Sequence, residues 1–241
     1  MTSPNHAKQG LGRRAFTLVE MITVVGIIAL LVVLATPTLV DVLRSTRMTS
    51  AGDNLINRMS LAQQEAITRS REVEVRFYRY RDPTSSFPTR DVFWAYQVVA
   101  APVNGAQPQA LSEPYFLESG LVFAPDVELS PMLRNVINQS PVGGANDYLF
   151  TPRGGAQPAE VSYTALRYYP DGGCRLLTVA NASAGGTDSA QAATAFTIPN
   201  LSQSFLTLID TQDLGSGIVP PRNYYCVQID AYTGKARVYR P

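Results

Sequence analysis

The sequence predicts an α+β chain. A long N-terminal helix, apolar in its first part and amphipathic in its second, leads into an antiparallel β-rich globular head. Three features of the 241 residues carry that prediction. An almost unbroken apolar run fills residues 16–36. A stripe of apolar residues at spacings of three and four follows it. From residue 73 onward, apolar residues tend to recur at every second position, between clusters rich in Gly, Pro and Ser.

The run from Phe16 to Thr36 holds one charged residue, Glu20. As a helix it extends about 31 Å at ~1.5 Å per residue, against a hydrocarbon core roughly 30 Å thick. A helix apolar on every side for this length rarely belongs to the core of a small domain. Lys8, Arg13 and Arg14 precede it, and Asp41 is the first charge after it. The positive-inside rule then places the N-terminus in the cytoplasm and the remainder outside, with one pass through the membrane. A secretory signal peptide would be shorter and would end in small residues at a cleavage site. Here the apolar core is too long and "ATPTLVD" makes a poor site. The small residue, Ala15, stands before the run.

Beyond Pro37 the pattern changes to that of an amphipathic helix over residues 37–70. Met48, Ala51, Leu55, Met59, Ala62 and Ala66 share one face, widened by Ile56 and Ile67. Arg44, Arg47, Asp53, Arg58, Gln64 and Glu65 fall largely off it. The stripe should pack on the head. Gly52 costs ~1 kcal/mol against Ala and suggests a small bend. The head, residues 71–241, then offers strands at 73–80, 92–100, 120–124, 147–151, 161–169, 174–180, 204–210, 224–230 and 236–240. A short helical turn is expected near 131–137, and "PDGG" (170–173) and "AYTGK" (231–235) are turns. In "VEVRFYRY", Val73, Val75, Phe77 and Arg79 share one side. Residues 82–160 carry variable loops.

With 20 basic and 19 acidic residues, the chain is close to neutral, which argues against broad electrostatic capture of nucleic acid or acidic lipid. Arg69, Arg71, Arg76, Arg79 and Arg81 make one segment locally basic, either a solvated strand face or a binding patch. Asp210 and Asp213 read as a surface loop before they read as acid–base or calcium ligands. No phosphate-binding or dinucleotide fingerprint is present, so no cofactor is expected. Two cysteines are too few for a Cys₄ zinc site.

The string Ala15-Phe16-Thr17-Leu18-Val19-Glu20 resembles the class III signal of type IV pilins and pseudopilins. That resemblance implies cleavage by a prepilin peptidase between Ala15 and Phe16, with residues 1–15 as leader and N-methylation of Phe16. Ala15 stands where the family usually has Gly. The resemblance also implies that Glu20 pairs with the N-terminal ammonium of a neighbouring subunit in a filament. A charge buried in the bilayer needs such a partner; the alternative is a carboxylate that snorkels to the headgroups. Pro37 falls where pilin relatives often carry a proline that kinks the helix. It could equally end the membrane helix there.

The order of parts narrows the likeness. The join "LINRMSLAQQEAITRSREVEVRF" and the end "QIDAYTGKARVYRP" resemble GspH/FimT-type minor pseudopilins, over residues 16–81 and more loosely 161–241. The layout is also similar to a pilin-like cassette family, Verru_Chthon cassette protein D. This implies a bacterial inner-membrane protein with a periplasmic head. Its partners would be the prepilin peptidase, other pilin or pseudopilin subunits and the membrane. Its function would be structural, in a filament of a type II secretion or type IV pilus machine. The single histidine, His6, would leave with the leader, so no histidine-based catalytic or metal site would remain, and an enzyme is not expected. The alternative function is a minor pilin whose head binds DNA or an exported protein. FimT-type relatives that take up DNA carry a basic stretch near this end, matched here by Gly234, Lys235, Ala236 and Arg237. Lys235 and Arg237 would share a strand face with Tyr239, and Arg240 would face the other way. An edge strand guarded by its charges is the competing interpretation. Cys174 and Cys226, exported to an oxidising compartment, either form one disulfide or stay as separate thiols.

Overall fold

The computed structural model describes residues 16–81, 91–102, 107–142, 144, 147–153, 157–179, 194–215 and 220–241; the side chains of 34–41, 159 and 194 also lie outside the description. It divides into two units, residues 1–43 and 44–241. One helix, α1 (Leu18–Thr68), has residues in both.

In the first unit the helix backbone starts at Leu18. Thr17 caps it: the Glu20 N–H donates to Thr17 Oγ1 at 3.3 Å, with the Ser/Thr-x-x-Glu spacing of a capping box. From Phe16 to Val33 every large apolar side chain is exposed. Among the described residues no helix is long and apolar enough to cross a membrane. The described apolar side chains of α1 stop at Val33, and those of the three residues needed to reach Thr36 lie beyond them.

In the second unit the sheet is antiparallel throughout. Its strands are β1 (Val73–Tyr80), β2 (Val92–Ala100), β3 (Gln109–Ala110), β4 (Tyr115–Phe116), β5 (Leu121–Phe123) and β6 (Ile137–Asn138). Then come β7 (Ser162–Tyr168), β8 (Cys174–Val179), β9 (Thr194–Thr197), β10 (Phe205–Asp210), β11 (Tyr224–Ile229) and β12 (Ala236–Tyr239). Their order is β12-β11-β10-β5-β2-β1-β7-β8-β9, with β3 and β4 beside β2 and β6 beside β7. Eight of the nine strands expected from alternation are present, and a 3₁₀ turn (Pro131–Leu133) sits where the short helical turn was expected.

The helical stripe is the centre of the core. Met48, Ala51, Leu55, Met59, Ala62 and Ala66 are all buried, against Val73, Val75 and Phe77 of β1, Leu206 and Leu208 of β10, and Tyr225 and Val227 of β11. Ile56 packs at its margin, whereas Ile67, also expected there, is 48% exposed. The sheet curls around this part of the helix. The Cys174 N–H at the start of β8 donates to the Ala231 carbonyl after β11 at 2.7 Å, although β8 and β11 stand near opposite ends of the strand order. Gln63 closes the same seam from the helix. Its Nε2 donates to the Gly172 carbonyl at 2.7 Å and the Thr233 carbonyl at 2.6 Å, one in each of the two turns. Gly234, at φ +65°, has no room for a side chain: an added Cβ would lie 2.4 Å from the Gly172 oxygen.

Three expectations are revised. Gly52 has a packing role that helix propensity does not signal: a Cβ there would come within 2.3 Å of the Tyr225 ring, which lies flush against the helix. Residues 147–151 form no strand. Phe150 instead stacks on Tyr78, ring centroids 3.9 Å apart and planes 7° off parallel, and Gln139 Nε2 holds the Phe150 carbonyl at 2.8 Å. Apolar residues alternate in this segment because it plugs the sheet's outer face, not because it joins the sheet.

The third correction concerns Arg76 of the locally basic segment, which lies neither on a solvated strand face nor in a binding patch, whereas Arg69 and Arg81 are exposed. The outward side of β1 is buried as well, with Glu74 at 2% and Arg76 at 7% exposure. Arg76 Nε donates to Glu74 Oε2 at 2.7 Å, and Arg167 of β7 donates to Glu74 Oε1 at 3.0 Å and to Glu72 Oε2 at 2.7 Å. The guanidiniums also lie over aromatic rings, Arg76 over Tyr163 and Arg167 over Phe196. Buried charge is tolerated because each one has a partner. Arg79 reaches Ser162 at 3.2 Å, after a register shift between Tyr78 and Arg79.

Gly52→Ala should therefore destabilise the head by about 1–3 kcal/mol, overpacking outweighing the ~1 kcal/mol gain in helix propensity. Thermal unfolding of the full chain in mild detergent, followed by emission of the single tryptophan, Trp94, checks this. A raised midpoint would contradict the close contact.

Candidate assembly site and the C-terminal basic strand

The residues expected to matter fall in two places, the start of α1 and the last strand. Ala15 lies outside the described residues. Phe16 is 69% exposed. Glu20 is exposed in the first helical turn, where its charge complements the helix N-terminus as well as the Thr17 cap. The helix backbone runs through Pro37, whose side chain lies outside the described residues. Around Glu20 the apolar surface is continuous: Leu18, Val19, Met21, Ile22, Val24 and Val25 are each between 47% and 75% exposed. A lone carboxylate in such a surface is a charge waiting for a partner or for water.

The basic strand splits. β12 pairs with β11 on one side, Val238 facing Val227 and Arg237 facing Gln228, and ends the strand order, so it is an edge strand. Lys235 and Arg237 are exposed. Arg237 stands near Asp230, whose carboxyl lies below the usual range through hydrogen bonds from Tyr232 and Thr233 and the nearby Arg237 charge. Arg240 is committed to the helix. It donates to Thr49 Oγ1 at 2.6 Å and Ser45 Oγ at 3.0 Å, and its guanidinium lies 5.7 Å from the centre of the Tyr225 ring. The Tyr225 hydroxyl in turn donates to Asp53 at 2.7 Å. Arg240 and Tyr225 thus seam the last strands to α1, a role no sequence motif signals.

Both cysteines are free thiols. Cys174 faces the helical core, and burial, with Asp230 nearby, pushes its thiol up to about 12. Cys226 sits between the inward Tyr225 and Val227 and faces the other side of the sheet, half-buried, its pKa raised by burial. The structure therefore takes the separate-thiol alternative.

Asp210 is a cap: its Oδ1 accepts the Gln212 N–H at 2.8 Å at the head of a 3₁₀ turn. Asp213 is raised by partial burial and by Asp210, with Arg44 opposing. Among the described residues no group of acidic, Cys or His side chains is placed to hold a metal.

A family model described as type II transport protein GspH matches residues 51–187. The chain belongs to the GspH family. The match begins within α1 and runs through β8, so the GspH likeness takes in all of 82–160, where the sequence alone expects variable loops. It leaves out α1 before residue 51 and the closing strands β9–β12, and it bears on the broad family rather than the narrower cassette protein. No curated protein and no solved structure gives a significant match. Membership makes this a pseudopilin-like subunit of type II secretion.

Denatured without reductant, the protein should titrate as two thiols. In the native state at pH 8, Cys226 should label well ahead of Cys174, since the thiolate is the reactive form. The absence of any titratable thiol would restore the disulfide.

Proposed function

We propose that this GspH-family chain is a minor pseudopilin anchored in the bacterial inner membrane by residues 16–36, with its head in the periplasm. It would be cut by a prepilin peptidase between Ala15 and Phe16 and N-methylated on Phe16. Its N-terminal helix would pack into the filament of a type II secretion or type IV pilus machine, with Glu20 meeting the ammonium of a neighbouring Phe16. One observation carries this: α1 buries a single stripe from Met48 to Ala66, yet exposes its large apolar side chains all round from Phe16 to Val33. Such a surface calls for lipid or neighbouring helices, and the one carboxylate on it calls for a cation.

DNA or cargo binding by the head is less well supported. Arg240, although exposed, is engaged by Ser45 and Thr49, leaving Lys235 and Arg237 as the exposed cations beside it with no such side-chain bond to the helix among the described residues.

In a peptidase-competent host the intact mass should be that of a chain starting at methylated Phe16. Glu20→Leu should insert into membranes as well as the parent, because the span becomes more apolar. It should be depleted severalfold from co-purified filaments. Normal filament incorporation of that variant would remove the ammonium partner from the account. A leader left uncut would remove the pseudopilin processing altogether.

A further inference from the structure

Two surfaces of the head are complementary to one another. One is a groove of about 410 Å³ beside α1. Its apolar surface comes from Val98, the half-buried Leu111 and Leu61, which is 60% exposed. Arg58, Arg69 and Arg71 also line it, with Glu65 as the one carboxylate among them. Glu65 is shared by Arg69, at 2.9 Å, and Arg71. Arg58 lies over the Tyr115 ring instead, 5.4 Å from its centre. The groove therefore combines an accessible leucine with an excess of positive charge.

The other surface is the tip that follows β5. Asp126, Val127 and Glu128 are consecutive and exposed, Val127 at 48%. The tip is fixed by its own backbone, the Leu129 and Ser130 N–H groups both donating to the Asp126 carbonyl at 3.1 and 2.8 Å. Neither carboxylate makes an ion pair among the described residues. This rigid tip presents an apolar side chain between two negative charges, the inverse of the groove.

We propose that the Asp126–Glu128 tip of one copy docks in the Arg58–Arg71 groove of a second copy. Val127 meets Leu61, and the two carboxylates meet the arginines. The two patches share no residue, so the contact is heterologous, and such contacts repeat along an open row unless their rotation closes a ring. Exposed charge pairs are individually weak, so the contact is a transient one. It involves the head alone and does not depend on the helix-mediated assembly proposed above.

Photo-crosslinking on the full chain in detergent tests it, with p-benzoylphenylalanine at Val127 and an equal mixture of isotope-labelled and unlabelled copies to mark intermolecular products. The expected product joins Val127 of one copy to residues 58–71 or 98–112 of another. Arg58→Glu with Arg69→Glu in the acceptor should cut the yield at least fivefold. Asp126→Lys with Glu128→Lys in the photoprobe copy should restore it against that acceptor, which also shows that the reversed acceptor is folded. A product at another surface, an Arg reversal without effect, or failure of the swap to restore would each overturn the proposal. So would crosslinking only to other proteins.

Discussion

One face of one helix governs the head. Met48, Ala51, Leu55, Met59, Ala62 and Ala66 must all be covered at once, and only a sheet bent around the helix can do so. The residue types along that face set how the cover is made. Three alanines and Gly52 keep the helix narrow, so Tyr225 can lie on its backbone, while the two methionines and Leu55 fill the wider places. Where the curled sheet comes back toward itself, the closure is polar and specific. Gln63 holds two turn carbonyls, Cys174 N–H meets Ala231, and Arg240 ties the last strand to Ser45 and Thr49.

β1 is the strand on which both layers depend. Its inward residues Val73, Val75 and Phe77 meet the helix, and its outward residues Glu74, Arg76, Tyr78 and Tyr80 lie under a second cover. That cover is assembled from distant parts of the chain: Arg167 and Phe196 at one end, and Phe150, held by Gln139, at the other. An ion network on this face costs desolvation, but each charge is met by a partner and ring faces, and the directionality of its bonds fixes the register of β1 against β7 more narrowly than apolar packing alone would.

Much of this was legible in the sequence because it is periodic. The stripe on α1 repeats at three and four, and strands such as β2 and β10 alternate or run apolar between turn residues. The failures have physical reasons. Glu74 and Arg76 look like solvent residues until Arg167, far along the chain, is known to meet them. Apolar residues at 148 and 150 fit a strand and a plug equally well. Gly52 scores as a helix defect because propensity says nothing of Tyr225, whose ring needs that space. Two-residue strands such as β3, β4 and β6 are too short to carry a period. In the candidate site, Glu20 stood out because a charge in an apolar run is rare. Arg240 could be assigned to a face by alternation, but not to its hydroxyl partners on α1.

Residues 48–66 of α1 are the core of the head rather than a free extension of the helix before them. Hydrogen exchange of the full chain in lipid nanodiscs, resolved by peptide, measures this directly. Amides of 48–66 should exchange only together with those of β1, β10 and β11, in one cooperative opening. Exchange of 48–66 through a separate, faster opening, with the strands still protected, would contradict it.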